Sequence, residues 1–385
     1  MAGRGLPKLR SLIVARDGER LFEHVFAGPS IETPVNIKSA SKSIIAALCG
    51  VAVGKGVVEG VEQPISAYLA DRFPANPDQR LEEVTIENLL TMQAGLASTS
   101  GADYGAWVSS RDWVRYVLSR PFEAEPGGRM IYSTGTSHLT SAVLTRAGSR
   151  SLLEQTRAWL GDPLDIEVPP WPADPQGIYF GGNDMRMSPL ALVRFGELYR
   201  NDGVHQNVRL LPEGWVERSW QGRGVSRWSG NPYGYGWWIR RSGRHSVYFA
   251  WGYGGQMVFV VPSLNLTTVM TSDPSPAQAR DGHVDQGARR REGNKHPHDA
   301  SRKLNDMRTP KTSAWRTLAS LSVIGWSLAS GAVAQDGAPR SPASILPGYG
   351  RRRGRHRHPV EGVRRTGVAR GHAGSGRARP ARTGD

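Results

Sequence analysis

Residues 36–50 read "NIKSASKSIIAALCG" and join a polar cluster to the start of an apolar helical pattern. Three serines and two lysines lie within the six positions from Lys38 to Ser43, and the sixth residue is Ala40. Among these serines, only Ser39 has a lysine, Lys42, three residues further along the chain. Residues three apart share one face of a helix, so the pattern can place Lys42 over Ser39.

This spacing has two interpretations. A serine hydroxyl keeps its proton at neutral pH and needs a base within hydrogen-bond reach to become a nucleophile. The field at a helix N-terminus and burial both disfavour a charged lysine and leave a neutral amine that accepts a proton. However, about one Ser-x-x-Lys match is expected by chance in a chain of this length. Alone, the motif therefore favours a capped helix with a solvated Lys42.

Residues 126–134, "PGGRMIYST", favour the nucleophile instead. They predict a turn and a short extended piece that end at Tyr132. A phenol at such a rim can hydrogen-bond the serine and the lysine and pass a proton to a leaving group. The three side chains Ser39, Lys42 and Tyr132 are therefore the candidate catalytic residues.

A second stretch, "WGYGGQMVFVV" (251–261), places glycines just before a strand. Glycine in such a position lets backbone come close to a ligand. The backbone N–H of Tyr253, with that of Gly254 as the alternative, is expected to form an oxyanion hole together with the N–H of Ser39. The candidate substrate-pocket residues are Trp251, Gly252, Gly254 and Asp184.

Several other residues have a structural and a functional interpretation. Asp184, in "GGNDM", either faces a substrate or shapes a turn, and the turn is favoured. Tyr104 and Trp107 either line a pocket or belong to an aromatic core, and the core is favoured. His138 lies six residues after Tyr132 in a predicted helix, which indicates a packed or capping histidine rather than a base.

The order of predicted elements indicates an α+β fold. Residues 9–28 read as two strands around Asp17-Gly18, a strong hairpin signal. Residues 233–272 are aromatic, β-branched and interrupted by glycines, which predicts three further strands. Helices are predicted between them, from the serine–lysine cluster to about Val53, within 84–96, 109–121 and 188–203, and in the last part of 125–148. We therefore expect one antiparallel sheet built from both ends of the core, with helices on its faces and an inserted helical lobe.

The net charge of +15 is located in one part of the chain. Residues 1–275 hold 27 basic and 26 acidic side chains, whereas residues 276–385 hold 22 and 8. We therefore predict one folded domain over 1–275, with no nucleic-acid partner, and a basic, disordered tail over 276–385. Within the tail, 307–335 has the layout of a secretory signal peptide. This favours a frameshift or read-through product over a genuine tail that binds nucleic acid or anionic membranes.

Other classes of protein are not indicated. The first ten residues lack an apolar signal core, which predicts a cytoplasmic protein if the N-terminus is as given. No apolar stretch predicts a membrane span. The single cysteine, Cys49, excludes an intramolecular disulfide framework. The ten histidines show no metal-ligand spacing, so neither a metal nor a cofactor is expected.

Taken together, the motifs resemble those of the serine β-lactamase-like superfamily over about residues 9–272. The chain is most similar to the branch of class C β-lactamases, D-alanyl-D-alanine peptidases, esterases and 6-aminohexanoate-dimer hydrolases. The stretches that carry the resemblance are "SASKS", "TIENLLTMQAGL", "PGGRMIYSTGTSHL", "GGNDMRMSPLALVRFGELYRNDG", "YGYGWW" and "WGYGGQ". It implies a β-lactamase/transpeptidase-like fold and an acyl-enzyme mechanism in which Ser39 attacks a carbonyl and Lys42, with Tyr132, takes the proton.

Two departures from the family pattern bear on the substrate. Thr134 stands where many members carry the Asn of a Tyr-x-Asn element, and "WGYGG" replaces the carboxylate-binding Lys-Thr-Gly element. The resemblance therefore implies a hydrolase of small esters or amides, nearest to the 6-aminohexanoate-dimer hydrolases. The alternatives are a β-lactamase or D,D-peptidase, and a non-catalytic binding protein on the same fold. The oligomeric state is left open.

Overall fold

A computed structural model gives the structure of residues 8–275. The predicted tail, 276–385, and its signal-like segment, 307–335, lie outside the described residues. The chain begins with strands β1 (Leu9–Arg16) and β2 (Glu19–Val25), which pair antiparallel. At the turn between them Asp17 has φ +54° and Gly18 has φ +82°. Two successive left-handed residues are typical of the tight hairpin turn that the sequence predicts.

The main sheet is antiparallel and has eight strands in the order β2-β1-β12-β11-β10-β9-β8-β7. The first strands pair with the last: Ile13 of β1 lies opposite Val269 of β12. The prediction of one sheet built from both ends of the core is confirmed. The remaining strands are β3 (Val35–Asn36), β4 (Arg186–Met187), β5 (Val204–His205), β6 (Val208–Arg209), β7 (Gly224–Val225), β8 (Pro232–Tyr233), β9 (Trp238–Ser242), β10 (His245–Gly252), β11 (Gln256–Val261) and β12 (Leu266–Ser272).

The expectation of three strands in 233–272 is wrong, because this segment contains four long ones. The additional strand, β9, pairs with β10 through a turn at Gly243, which has φ +57°. Arg240, Arg241 and Ser242 make most of β9 polar, so the sequence shows no alternation of apolar and polar residues that would distinguish this strand from the turn that follows.

The helices fill the middle of the described chain, as predicted. They are α1 (Ser41–Gly54), α2 (Ser66–Leu69), α3 (Ile86–Leu90), α4 (Tyr104–Val108), α5 (Trp113–Leu118), α6 (Thr134–Ala147), α7 (Leu152–Thr156), α8 (Asp162–Leu164), α9 (Pro189–Arg200) and α10 (Trp215–Ser219). Within residues 8–275, no helix has the length and apolar character needed to cross a membrane.

Local capping explains where several helices begin and end. The Ser188 side chain accepts from Ala191 N–H and caps α9, and Ser133 caps α6 in the same way. Thr85 and Asn88 form a capping box at the start of α3. That helix ends at Leu90, well before the end of the predicted range 84–96, because Met92 has φ +61° and cannot continue a right-handed helix.

The two faces of the sheet have separate apolar clusters, because successive side chains of a strand point to opposite faces. Val258 and Val260 of β11 join the main core, where α9 packs against β11 and β12. Met257 and Phe259 of the same strand join a second cluster on the opposite face. Strand β11 is therefore buried on both faces.

A 3-10 turn, Lys38–Ala40, precedes α1 and packs against β10 and β11. The approach is closest at Gly252, where an added Cβ would lie 2.2 Å from the carbonyl oxygen of Ile37. Only glycine fits a backbone contact of this kind. The end of β10 is therefore fixed directly against the turn that carries Ser39.

We expect Gly252→Ala to destabilise the domain by about 1–3 kcal/mol, since the new methyl group must displace either β10 or the turn. Urea denaturation of wild type and variant measures this change. Gly105→Ala is the matched control, because the Cβ at Gly105, inside α4, meets nothing within 4 Å. An unchanged free energy of unfolding for Gly252→Ala would contradict the packing described here.

Candidate active site

Ser39 and Lys42 meet at the entrance to helix α1. Ser39 lies in the 3-10 turn and is partly exposed, whereas Lys42, in the first turn of α1, is 4% exposed. The Lys42 Nζ is 3.2 Å from the Ser39 Oγ. The spacing of three residues therefore brings the two side chains together as the sequence predicts.

The other two serines of the cluster have structural partners. The Ser41 hydroxyl donates to the backbone carbonyl of Lys38 at 2.8 Å. The Ser43 hydroxyl donates to the carbonyl of Gly236 at 2.6 Å. Of the three serines, Ser39 alone has its hydroxyl beside the lysine amine.

The amine of Lys42 has few partners that replace water. Its Nζ donates to the carbonyl oxygen of Gly182 at 2.7 Å and lies 3.4 Å from the Thr134 Oγ1. It also lies 4.9 Å from the ring centroid of Tyr132. Burial in this position lowers the pKa of Lys42 to about 7, from an ordinary value of 10.5. Near neutral pH a large fraction of the side chain is therefore the neutral amine.

One nearby charge opposes that shift. Asp184 favours the ammonium form and raises the pKa of Lys42, although by less than burial lowers it. Asp184 is 3% exposed, and its Oδ1 accepts from the Nζ of Lys38 at 2.8 Å and from the Nδ2 of Asn36 at 2.7 Å. The structure thus places Asp184 in a buried ion pair beside the turn of Ser39.

Both residues of this ion pair have an unusual backbone conformation. Lys38 has φ +51° and Asp184 has φ +56°, a left-handed conformation that is uncommon for residues with a Cβ. The Asn36 Oδ1 accepts from the Lys38 N–H at 2.9 Å and adds a local hydrogen bond. Lys38, Asp184 and Asn36 therefore fix the turn that presents Ser39.

Tyr132 lies beside Lys42, with its ring centroid 4.9 Å from the Nζ. Burial raises the pKa of the Tyr132 phenol to about 12, and its hydrogen bond with the Ser39 side chain lowers it by less. The Ser98 hydroxyl donates to the Tyr132 carbonyl at 2.8 Å and holds the backbone there. The phenol is therefore protonated at neutral pH and can donate a proton or a hydrogen bond.

The predicted oxyanion donors have free backbone N–H groups. Within residues 8–275, the N–H groups of Ser39, Tyr253 and Gly254 donate to no protein acceptor. The last two belong to the turn between β10 and β11, next to the contact of Gly252 with the nucleophile turn. Tyr253 and Gly254 both remain candidates for the second donor.

The other predicted pocket residues divide between site and core. Trp251 is partly exposed at the end of β10, whereas Trp107 is fully buried among aromatic rings. Tyr104 is buried, and its hydroxyl accepts from the Asn183 Nδ2 at 2.8 Å. Gly252 contacts backbone and leaves no room for a ligand at its Cα.

His138 supports the site without touching it. Its Nε2 lies 3.1 Å from the Asp174 Oδ2, and both side chains are completely buried. Its Nδ1 accepts from the Gly181 N–H at 3.3 Å, which leaves the Nε2 proton for Asp174. Gly181 precedes Gly182, the residue whose carbonyl accepts from Lys42, so the histidine fixes that carbonyl.

Sequence reasoning missed part of this arrangement. The sequence does not distinguish Lys38 from the other polar residues of its cluster, and it gives no sign of the contact between the Gly182 carbonyl and Lys42. Lys38 and its partner Asp184 are 146 positions apart, and no local pattern connects them. The charge of Lys38 just before a candidate nucleophile was the one available signal.

Neither metal nor thiol chemistry is indicated in the described part of the chain. Residues 8–275 contain no group of three or more histidine, cysteine or carboxylate side chains that could hold a metal ion. Burial raises the pKa of the Cys49 thiol to about 12, so this thiol is not a nucleophile at neutral pH.

Comparison with known proteins identifies the family. A family model described as Beta-lactamase matches residues 10–289. The chain belongs to the beta-lactamase family. Its α+β architecture, an antiparallel sheet with helices, is the fold of that family, as the motifs predict. Among curated protein sequences, none matches this chain.

Several solved structures are similar to this beta-lactamase-family domain. A Bacillus anthracis protein described as a 6-aminohexanoate-dimer hydrolase is 17% identical, with a TM-score of 0.59 over 70% of this chain and 75% of that chain. EstCE1, described as a hydrolase with promiscuous acyltransferase activity, is 18% identical, with a TM-score of 0.58 over 68% and 87%. A class C beta-lactamase from Rhodobacter sphaeroides is 14% identical, with a TM-score of 0.54 over 72% and 94%.

We expect Lys42→Met to stabilise the domain by about 2 kcal/mol at pH 7 and to abolish hydrolysis. A shift of the Lys42 pKa from 10.5 to about 7 means that burial of the ammonium group destabilises wild type by about 5 kcal/mol. The variant avoids this cost, but it leaves the Gly182 carbonyl without a hydrogen-bond donor, which costs about 1–3 kcal/mol. Below pH 7 the unfavourable contribution is complete. Between pH 7 and 10.5 the destabilisation by Lys42 decreases as the pH rises, because in this range the unfolded lysine keeps a proton that the folded lysine has lost.

Thermal melts of wild type and Lys42→Met between pH 6 and 10 measure this difference. The gap in melting temperature should narrow as the pH rises. A variant that is less stable than wild type at every pH would show that the lysine is not desolvated as described.

Proposed function

We propose that the chain is a serine hydrolase that cleaves small esters or amides through an acyl-enzyme intermediate on Ser39. The observation that supports this most directly is the Ser39 Oγ, 3.2 Å from a buried lysine amine whose pKa is about 7. A neutral amine at that distance is a general base for the hydroxyl.

In the acylation step, the Ser39 Oγ attacks the substrate carbonyl while the Lys42 amine takes the hydroxyl proton. The carbonyl oxygen becomes an oxyanion held by the backbone N–H of Ser39 and that of Tyr253, with Gly254 as the alternative. The bond from carbon to the leaving oxygen or nitrogen then breaks. The leaving group receives a proton through Tyr132, and an ester remains on Ser39.

In the second step, a water molecule attacks the ester carbon of the acyl-enzyme. The Lys42 amine takes one proton from this water, and the same backbone donors hold the new oxyanion. The Ser39 Oγ leaves and regains a proton, and the acid is released. The net reaction consumes one water and leaves the protein unchanged.

The end of β10 favours neutral substrates over carboxylate-bearing ones. The stretch "WGYGG" (251–255) stands in the region where many family members carry the Lys-Thr-Gly element that supports carboxylate recognition, and it begins with Trp251. An indole offers apolar surface and no positive charge. This favours small esters and amides over β-lactams or peptidoglycan peptides, which remain the alternative substrates. A binding protein without activity remains the alternative of another class.

We expect Ser39→Ala to abolish the hydrolysis of p-nitrophenyl acetate and butyrate, with a loss of at least about 1000-fold in kcat, because Ser39 is the only one of the three clustered serines whose hydroxyl lies beside the Lys42 amine. Release of p-nitrophenol measures this. A fluorophosphonate probe should label wild type but not the variant, as detected by intact-mass spectrometry.

Ser41→Ala is the matched control, since its hydroxyl lies two positions away and bonds the Lys38 carbonyl. It should keep both activity and labelling. Labelling of Ser39→Ala would rule out Ser39 as the nucleophile. Acylation by penicillin or nitrocefin without ester turnover would favour the β-lactamase or D,D-peptidase alternative, and no acylation by any probe would favour the binding protein.

We expect Asp184→Asn to move the acidic limb of the profile of kcat/KM against pH to lower pH, by about one unit or less. Wild-type activity should rise through about pH 7, as Lys42 loses its proton. Removal of the Asp184 charge disfavours the ammonium form and lowers that pKa further. The measurement is ester hydrolysis between pH 5 and 9.

The control for this variant is Asp165→Asn, whose carboxylate side chain is 92% exposed and pairs with Arg194 away from the site. In Asp165→Asn the acidic limb of the kcat/KM profile should stay at the same pH as in wild type. An acidic limb that moves to higher pH in Asp184→Asn would contradict the electrostatic role given to this carboxylate.

A further inference from the structure

A line of aromatic side chains leads from the candidate active site to the protein surface. The ring of Tyr132 stacks on Trp238, with centroids 5.8 Å apart and planes at 26°. Trp238 in turn packs against Trp251 at 5.9 Å and against Trp228 at 5.4 Å. Trp228 and Trp251 lie 5.1 Å apart. We call Trp228, Trp238 and Trp251 the tryptophan wall.

The wall becomes more exposed with distance from the site. Trp238 is 3% exposed, Trp251 is partly exposed and Trp228 is 48% exposed. Two of the three indoles thus keep apolar surface in contact with water. Covering that surface with an apolar group is favourable in proportion to the area covered. An aromatic group gains further from edge-to-face or offset contact with the indoles.

The hairpin that carries Trp228 is held in a defined conformation. It connects β7 to β8, and the Ser226 N–H donates to the Asn231 carbonyl at 3.0 Å. At its base, a Cβ added to Gly224 would lie 2.8 Å from the Cβ of Met130, two residues before Tyr132. The hairpin is therefore packed against the segment that presents Tyr132, which fixes Trp228 relative to the phenol.

We propose that the tryptophan wall binds an apolar, aromatic alcohol or amine portion of the substrate, the part that departs when Ser39 is acylated. This proposal rests on the proposed function. Tyr132 is the residue that passes a proton to the leaving group, so that group must lie over Tyr132. The tryptophan wall begins at the ring of Tyr132, on which Trp238 stacks, and extends to the exposed Trp228. The structure thus assigns the exposed indole of Trp228 to recognition of the leaving group.

The test compares two acetate esters with different alcohols. Benzyl acetate and methyl acetate transfer the same acetyl group, so they give the same acyl-enzyme and differ only in the leaving group. We expect wild type to favour benzyl acetate, and Trp228→Ala to lower the ratio of the two kcat/KM values at least about tenfold. Trp228→Phe should retain most of the ratio, because it keeps a ring at that position.

Two controls separate recognition from general damage. Leu21→Ala removes a similarly exposed apolar side chain from β2, at the opposite edge of the sheet, and should leave the ratio unchanged. Thermal melts of all variants should coincide with that of wild type, because Trp228 is half exposed.

A second substrate pair tests whether Trp228 binds the acyl portion of the substrate instead of the leaving group. Methyl phenylacetate and methyl acetate share the leaving group and differ in the acyl group. A change in this ratio for Trp228→Ala, with the benzyl preference intact, would overturn the proposal, as would no change in either ratio. If no ester is hydrolysed and mass spectrometry finds no acyl group on Ser39, the proposed function itself fails. Acetylation with unchanged ratios rejects only the tryptophan wall.

Discussion

An ammonium group inside a protein loses its hydration, and at Lys42 only a backbone carbonyl and two hydroxyls take the place of water. The lowered pKa of this lysine follows directly from that loss. So does a free-energy cost that the remaining structure must offset, since the domain would be more stable with an apolar side chain there. A site that is unfavourable for stability and suited to accepting a proton is the usual trade-off between stability and activity.

Two pairs of polar side chains hold the segments around the lysine. The Asp184–Lys38 pair fixes the turn before helix α1, and the His138–Asp174 pair fixes the glycine segment whose carbonyl faces the amine. Each uses a partner far away in the sequence, so each also ties two parts of the fold together. Carbonyl, hydroxyl and amine are thereby placed before any substrate arrives, which is what a general base requires of its surroundings.

The features that the sequence predicted are those that depend on neighbours along the chain. The Asp17-Gly18 turn and the spacing of Ser39 and Lys42 are local, and the structure has them as expected. Strand β9 is not evident from the sequence, because three of its five residues are polar and its pairing with β10 and β8 makes it a strand. The partner of Lys38 and the position of Trp228 beside Trp251 depend on tertiary packing, and one sequence contains no local trace of either.

The pairing of β1 with β12 has a consequence for how the protein is made. The contact between Ser11 and Thr271 joins residues 260 positions apart. At about 5–20 residues per second, a ribosome takes roughly 13 to 50 seconds to add the second after the first. During that time the first hairpin has no neighbour on one edge, and an unpaired strand edge is a template for aggregation. Newly synthesised chains should therefore depend on chaperones until the last strand has left the ribosome.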